Sequence, residues 1–121
     1  MAREIAVMFS AIFDDDGSTV EFGMPKTFFD VTGANYIKHK QNVGATEEAL
    51  VLGDVTVGGW LVARNNHATA VISIRQATSA ADFADLGPGE GCVIPISTDM
   101  TAPFVISTVA GAELEYLLVD A

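Results

Sequence analysis

Short apolar runs alternate along the chain with turns rich in Gly, Asn, Asp and Pro. The runs are rich in β-branched and aromatic residues, which predicts strands rather than helices. We predict ten strands, at Glu4–Phe13, Thr19–Met24, Thr27–Val31, Tyr36–Val43, Ala49–Gly53, Gly59–Asn65, Ala70–Gln76, Gly91–Ile96, Phe104–Val109 and Ala112–Val119. Strands that recur about every 8–12 residues are typical of a β-sandwich or barrel.

The pattern therefore predicts an all-β protein, an antiparallel β-sandwich of jelly-roll type. A length of 121 residues suits a single domain over residues 1–121. Only "ATSAADFADL", residues 77–86, favours a short helical turn, with Ser79 as its cap and Asp82 in its first turn.

The last predicted strand is apolar on both faces near its end. Leu114, Tyr116 and Leu118 alternate with two glutamates, and then Leu117 and Val119 lie on the glutamate side. A strand that is apolar on both sides predicts cover by a neighbouring subunit. The candidate interface comprises Leu114, Tyr116, Leu117, Leu118, Val119 and Trp60.

Composition narrows the possible partners. Half of the residues are hydrophobic, and sixteen acids against six bases give a net charge of −10. Nucleic acids and anionic membranes are bound mainly through Lys and Arg, and only "KHK" at residues 38–40 forms a basic cluster. We therefore expect neither as a partner. The charge favours free subunits that stay soluble.

The single cysteine excludes an intrachain disulfide. The apolar run "EIAVMFSAIF" ends at "DDD" without a small-residue cleavage site, so no secretory signal is predicted. No apolar window reaches the length of a membrane span. We expect a soluble protein made in a reducing cytoplasm.

Two loops invite a functional interpretation. "LGPGEGCVIPI", residues 86–96, resembles a glycine-rich phosphate loop, but an apolar strand follows it instead of a helix, which favours a tight corner. "FDDDGST", residues 13–19, resembles the start of a calcium loop but lacks the glutamate six residues after Gly17. A solvated hairpin tip is favoured, and cation binding by Asp14–Asp16 stays open.

No catalytic, metal or cofactor residues are predicted. Cys92 alternates with isoleucines, as a buried inert thiol does, and His39 and His67 have no zinc-type spacing. Trp60 and Tyr36 are candidates for stacking on a sugar, although an aromatic residue at a strand start is more often part of the core.

Several segments together resemble small virion structural proteins of tailed bacteriophages. They are "FDVTGANYIKHKQNVGATEEALVLGDV", "GGWLVARNNHATAVISI", "LGPGEGCVIPI" and "PFVISTVAGAELEYLLVDA". The resemblance covers most of residues 20–121 and consists of turn and strand patterns.

The resemblance implies a non-enzymatic head decoration (cement) protein on the capsid exterior. It would form a homo-oligomer, with a trimer favoured, and would bind the major capsid protein or another virion protein. Two alternatives remain open: a tail, connector or fibre-associated virion protein, and a small carbohydrate-binding or cupin-like module.

Overall fold

The computed structural model describes residues 3–96 and 103–121, and in this part of the chain it contains ten strands and no helix. Two compact units are present, which we call the arm (Met1–Thr32) and the body (Gly33–Ala121). The strands are β1 (Arg3–Asp15), β2 (Ser18–Val31), β3 (Tyr36–Val43), β4 (Glu48–Ala49), β5 (Gly58–Asn65), β6 (Ile72–Arg75), β7 (Asp82–Leu86), β8 (Gly91–Pro95), β9 (Phe104–Ser107) and β10 (Ala112–Asp120).

The arm is one antiparallel hairpin of β1 and β2. Asp15 faces Ser18 across the pair, so the loop is the dipeptide Asp16–Gly17. Their φ angles of 46° and 93° are those of the tight hairpin turns that Asp-Gly favours. The predicted hairpin tip is confirmed.

The predicted break between two strands at "MPK" is wrong, because β2 runs through it. Pro25 and Lys26 together face Met8, which makes a bulge in the ladder. A bulge tolerates proline because the extra residue leaves the regular hydrogen bonding. The Thr27 hydroxyl donates to the Pro25 carbonyl at 2.7 Å and closes this irregularity.

The body consists of two antiparallel sheets of four strands, ordered β3-β10-β5-β8 and β4-β9-β6-β7. Both sheets contribute to a single hydrophobic core, which confirms the predicted β-sandwich. Fully buried members include Leu61 and Leu114 from the first sheet and Ile72, Ile74 and Val105 from the second.

Strand pairing in the body is nested. The first strand pairs with the last, β3 with β10, and then β4 pairs with β9, β5 with β8 and β6 with β7. The central position of β10, between β3 and β5, explains why every second residue from Ala112 to Asp120 is buried.

The predicted helical turn at residues 77–86 is wrong, because its second half is strand β7, paired with β6. Ser79 has a φ of 58°, and its backbone N–H donates to the Glu47 carboxylate at 2.9 Å. Arg75 contacts Glu47 at 2.7 Å and Asp82 at 2.6 Å. These contacts stabilise a non-helical conformation of the segment, although its local sequence favours a helix.

Candidate functional site

Three of the six predicted interface residues belong to the core of the body. Leu114, Tyr116 and Leu118 are at most 2 % exposed, so they offer no surface to a neighbour. The Tyr116 hydroxyl donates to the Val51 carbonyl, and burial raises the pKa of Tyr116 to about 12. The sequence pattern placed these residues correctly on one face, but that face points inward.

The other three lie on the opposite, outer face of the first sheet. Val119 is paired with Trp60, and Leu117 with Val62 on the same strands. Strands β3 and β8 extend these rows on both sides. We call the resulting apolar surface the outer patch, formed by Tyr36, Trp60, Val62, Val93, Pro95, Leu117 and Val119.

The outer patch is accessible at its margins and half-buried at its centre. Tyr36 is 69 % exposed and Val93 is 38 % exposed, whereas Leu117 and Val119 are half-buried. A soluble sandwich normally places polar residues on this face. Seven neighbouring apolar residues there indicate an interaction surface.

Charged residues border the outer patch. Lys38 shares a row with Leu117, and in the next row Glu115 lies between Lys40 and Arg64. A shallow pocket of about 190 Å³ opens at this border, between Lys38, Arg64 and Leu117. Within residues 3–96 and 103–121, no ion pair involves Lys38, Lys40 or Arg64.

The arm carries a second apolar surface, which sequence analysis did not select. Three consecutive rows of one hairpin face contain only apolar residues. We call them the arm stripe, formed by Phe9, Ala11, Phe13, Val20, Phe22 and Met24. Phe13, Val20 and Phe22 are 64 %, 61 % and 72 % exposed.

The arm stripe ends at an acidic tip. Asp14 and Asp15 are the last residues of β1, and Asp16 follows in the turn. In the described ranges, no group of three or more His, Cys, Asp or Glu side chains has a geometry that would hold a metal ion.

The "LGPGEG" segment forms a corner between β7 and β8. Gly89 has a φ of 75°, and its N–H donates to the Asn65 carbonyl at 3.0 Å. The Glu90 carboxylate accepts the Gly87 N–H at 2.6 Å, a hydrogen bond that joins the two ends of the turn. All of these contacts are internal, as the predicted corner requires.

Asn65 fixes this corner to the core. Its side chain is fully buried and donates to the carbonyls of Ala70 and Leu86 at 2.8 and 2.9 Å, while its oxygen accepts the His67 N–H. The polar groups of the side chain are thus engaged in structural hydrogen bonds.

The three nucleophile or ligand candidates occupy separate structural positions. Cys92 packs against the core, and burial raises the pKa of its thiol, which lowers its reactivity. The Nδ1 of His67 accepts the backbone N–H groups of Thr69 and Ala70. His39 is exposed and contacts the Tyr116 ring edge-on, with ring centroids 5.9 Å apart.

Tyr36, Val62, Val93 and Pro95 were missed as interface candidates because each is isolated in the sequence. Only the register of four strands makes them neighbours. For the arm stripe a signal was present, because Val20, Phe22 and Met24 alternate with polar residues in β2. Such alternation is typical of an antiparallel strand with one wet face, so by itself it does not show that the apolar face is exposed as well.

No protein-family model, curated protein or solved structure matches the chain. In the described residues, no helix is long and apolar enough to cross a membrane.

Proposed function

We propose that the protein is a non-enzymatic structural component of a bacteriophage virion, a head decoration (cement) protein. It binds the capsid exterior as a homo-oligomer, with a trimer favoured, and stabilises the shell through contacts with the major capsid protein and between its own subunits.

One observation carries the assembly role: the aromatic residues of the chain lie mainly on surfaces. Five of the seven phenylalanines, at positions 9, 13, 22, 28 and 29, are in the arm. No phenylalanine belongs to the core cluster of the body. Exposed aromatic residues that stabilise no core are typical of protein–protein interfaces.

The nested pairing of the body supports the same role. Two sheets of four strands with the first strand paired to the last are expected of a jelly roll, an architecture that viral capsid proteins, lectins and cupins share. We therefore propose a jelly-roll connectivity. Because jelly rolls serve many functions, the fold agrees with a virion role but does not by itself establish one.

The virion assignment depends on the resemblance of "LGPGEGCVIPI" and the C-terminal segments to small phage structural proteins. The physical properties agree with it. A net charge of −10 favours solubility of the free protein, and packing provides stability where no intrachain disulfide is possible.

The test is to locate the chain in purified particles of the phage that encodes it. We expect density mapping and antibody labelling to place it on the head exterior. Labelling of the tail or connector would support the alternative virion role, and absence from particles would refute both.

A binding experiment connects the outer patch to this role. We expect Leu117→Asp with Val119→Asp to abolish cosedimentation with particles that lack the protein. The control is Asn42→Asp, which adds a charge beside Glu113, beyond the apolar rows. Unchanged cosedimentation of the double variant would contradict a role for the patch.

A carbohydrate-binding module is the second candidate. The observation in its favour is that Tyr36 and Trp60 lie in one row of the outer patch, on either side of Val119. Aromatic rings on a sheet face can stack on sugars. Specific signals on a glycan array that disappear in Tyr36→Ala would favour this role over assembly.

A further inference from the structure

We infer that the arm stripe of one copy docks on the outer patch of a second copy, so that subunits assemble head to tail. The inference deepens the proposed function, on which it rests for the expectation that copies associate. It identifies the contacting surfaces and the kind of symmetry.

The exposed area of the arm stripe calls for a partner. With roughly 200 Å² for a whole aromatic side chain, Phe9, Phe13 and Phe22 together expose roughly 350 Å². A standard interface buries about 800 Å² on each partner, so these three side chains supply almost half of one. An isolated two-stranded hairpin is also only marginally stable in water, and docking would stabilise it.

Charge identifies the second surface as the outer patch of another copy. The arm contains six acids and two bases, and three of the acids are consecutive at its tip. The border of the outer patch contains Lys38, Lys40 and Arg64, half of the six bases in the chain, and one acid, Glu115, so the border has a net positive charge. In a protein of net charge −10, few other surfaces can attract an acidic tip.

The order of charged and apolar rows is the same on both surfaces. On the arm, the acidic tip is followed by the rows Phe13–Val20, Ala11–Phe22 and Phe9–Met24. On the patch, the row of Lys40, Glu115 and Arg64 is followed by the row of Leu117, which ends at Lys38, and then by the row of Val119. Rows on one strand face repeat about every 7 Å, so the tip can reach the lysines while apolar rows face each other.

This contact is heterologous, because it joins two different surfaces. Each copy has one arm and one patch, so every copy can contact two neighbours. Such contacts close into a ring, of which the smallest is a pair of copies that exchange arms, or continue into an open chain.

The first experiment measures the mass of the purified chain by sedimentation, without any particle. We expect the wild type to sediment as a multiple of 12.7 kDa. Phe13→Asp with Phe22→Asp, and separately Lys38→Glu with Lys40→Glu, should each give monomers. The matched control is Ile12→Asp, because Ile12 is 65 % exposed on the opposite face of β1 and should leave assembly intact.

The decisive experiment mixes the two assembly-deficient variants in equal amounts. One retains the patch and the other retains the arm, so a head-to-tail contact predicts a heterodimer of twice the monomer mass and nothing larger. A mixture that stays monomeric, a wild type that is monomeric at every concentration, or an arm variant that still assembles would overturn the inference.

A charge exchange covers the case in which the aspartate variants fail to fold. Asp14→Lys with Asp15→Lys changes only the exposed tip and should weaken assembly. Combining these changes with Lys38→Glu and Lys40→Glu should restore it, and lack of restoration would contradict the pairing. Particle binding is a separate measurement. If the protein does not bind particles, the virion role is refuted, but the sedimentation result on self-association still stands.

Discussion

The arm and the body are both antiparallel and both rich in apolar residues, yet the body buries many of its apolar side chains, whereas the arm leaves most of its own exposed and buries Val7. In the body, two sheets face each other and Leu61, Ile72 and Val105 are completely buried. In the arm, a hairpin with only two strands exposes Phe22 to 72 %. Apolar residues stabilise the fold in the body, whereas in the arm we propose that they bind a second copy.

The residue types reflect this division. The core of the body is aliphatic apart from Tyr116, and its branched side chains pack closely between the sheets. The arm uses phenylalanine, whose large rigid ring gives much contact area for little loss of conformational entropy. This difference in residue type agrees with the proposed contact of the arm with a second copy.

The largest expected effect comes from a cavity in the body. Ile72→Ala should lower the free energy of unfolding by about 2–5 kcal/mol, because a fully buried side chain leaves a void. Phe22→Ala in the arm should change it by less than about 0.5 kcal/mol. Urea unfolding followed by the fluorescence of Trp60, the one tryptophan of the chain, measures both.

Either variant can contradict the expected difference in stability between body and arm. A large loss from Phe22→Ala would mean that the arm contributes to the stability of the body. A small loss from Ile72→Ala would mean that the two sheets pack loosely.

A smaller effect is expected at the buried amide of the body. Asn65→Ala should lower the free energy of unfolding by about 2–3 kcal/mol, because it leaves the Ala70 and Leu86 carbonyls without their donor. The neighbouring Asn66 is exposed and its amide donates to the Glu113 and Glu115 carboxylates at the surface, so Asn66→Ala is the control and should cost less than about 1 kcal/mol. Equal costs in urea unfolding would contradict a structural role for the amide.

The smallest effect at neutral pH concerns the ionisation of Tyr116, because its hydroxyl keeps its proton at pH 7 in both the folded and the unfolded chain. The other tyrosine, Tyr36, also lies in the body and must be removed before Tyr116 can be followed alone. In a Tyr36→Phe background, phenolate absorbance reports Tyr116 alone. Its folded pKa of about 12 lies above the ordinary value of about 10, so the native state keeps a proton that the unfolded state loses. Stability is therefore complete below about pH 10 and falls as the pH rises towards 12.

Tyr116→Phe should remove this pH dependence. Unfolding curves measured from pH 9 to pH 12 test the prediction. Phenolate formation close to pH 10 in a chain that stays folded would show that the hydroxyl is accessible to water.

Local patterns predicted much of this architecture. β3 has the predicted bounds, and alternation placed Leu117 and Val119 together on one face of β10. The turns at Asp-Gly and Gly-Pro-Gly could also be predicted, because the φ angles that these residues prefer are a local property of the sequence. These features depend on residues that are close in sequence.

Features that depend on distant residues were not predictable. Glu47 contacts Arg75 and accepts the Ser79 N–H, and these contacts stabilise a non-helical segment around Ser79. No pattern in the neighbouring sequence predicts them. The outer patch requires the register of four strands, so Tyr36 and Val93 could not be joined to Leu117 beforehand. Which face of β10 points inward was equally a matter of topology.

The nested pairing has a consequence for synthesis. Because β10 lies between β3 and β5, the first sheet can close only after β10 has been synthesised. Pairings so distant in sequence make folding slow, and a prematurely terminated chain retains open sheet edges that invite aggregation or proteolysis. The first sheet is thus completed only when β10 pairs with both β3 and β5, so a chain truncated before Ala112 leaves these two strands without their common partner.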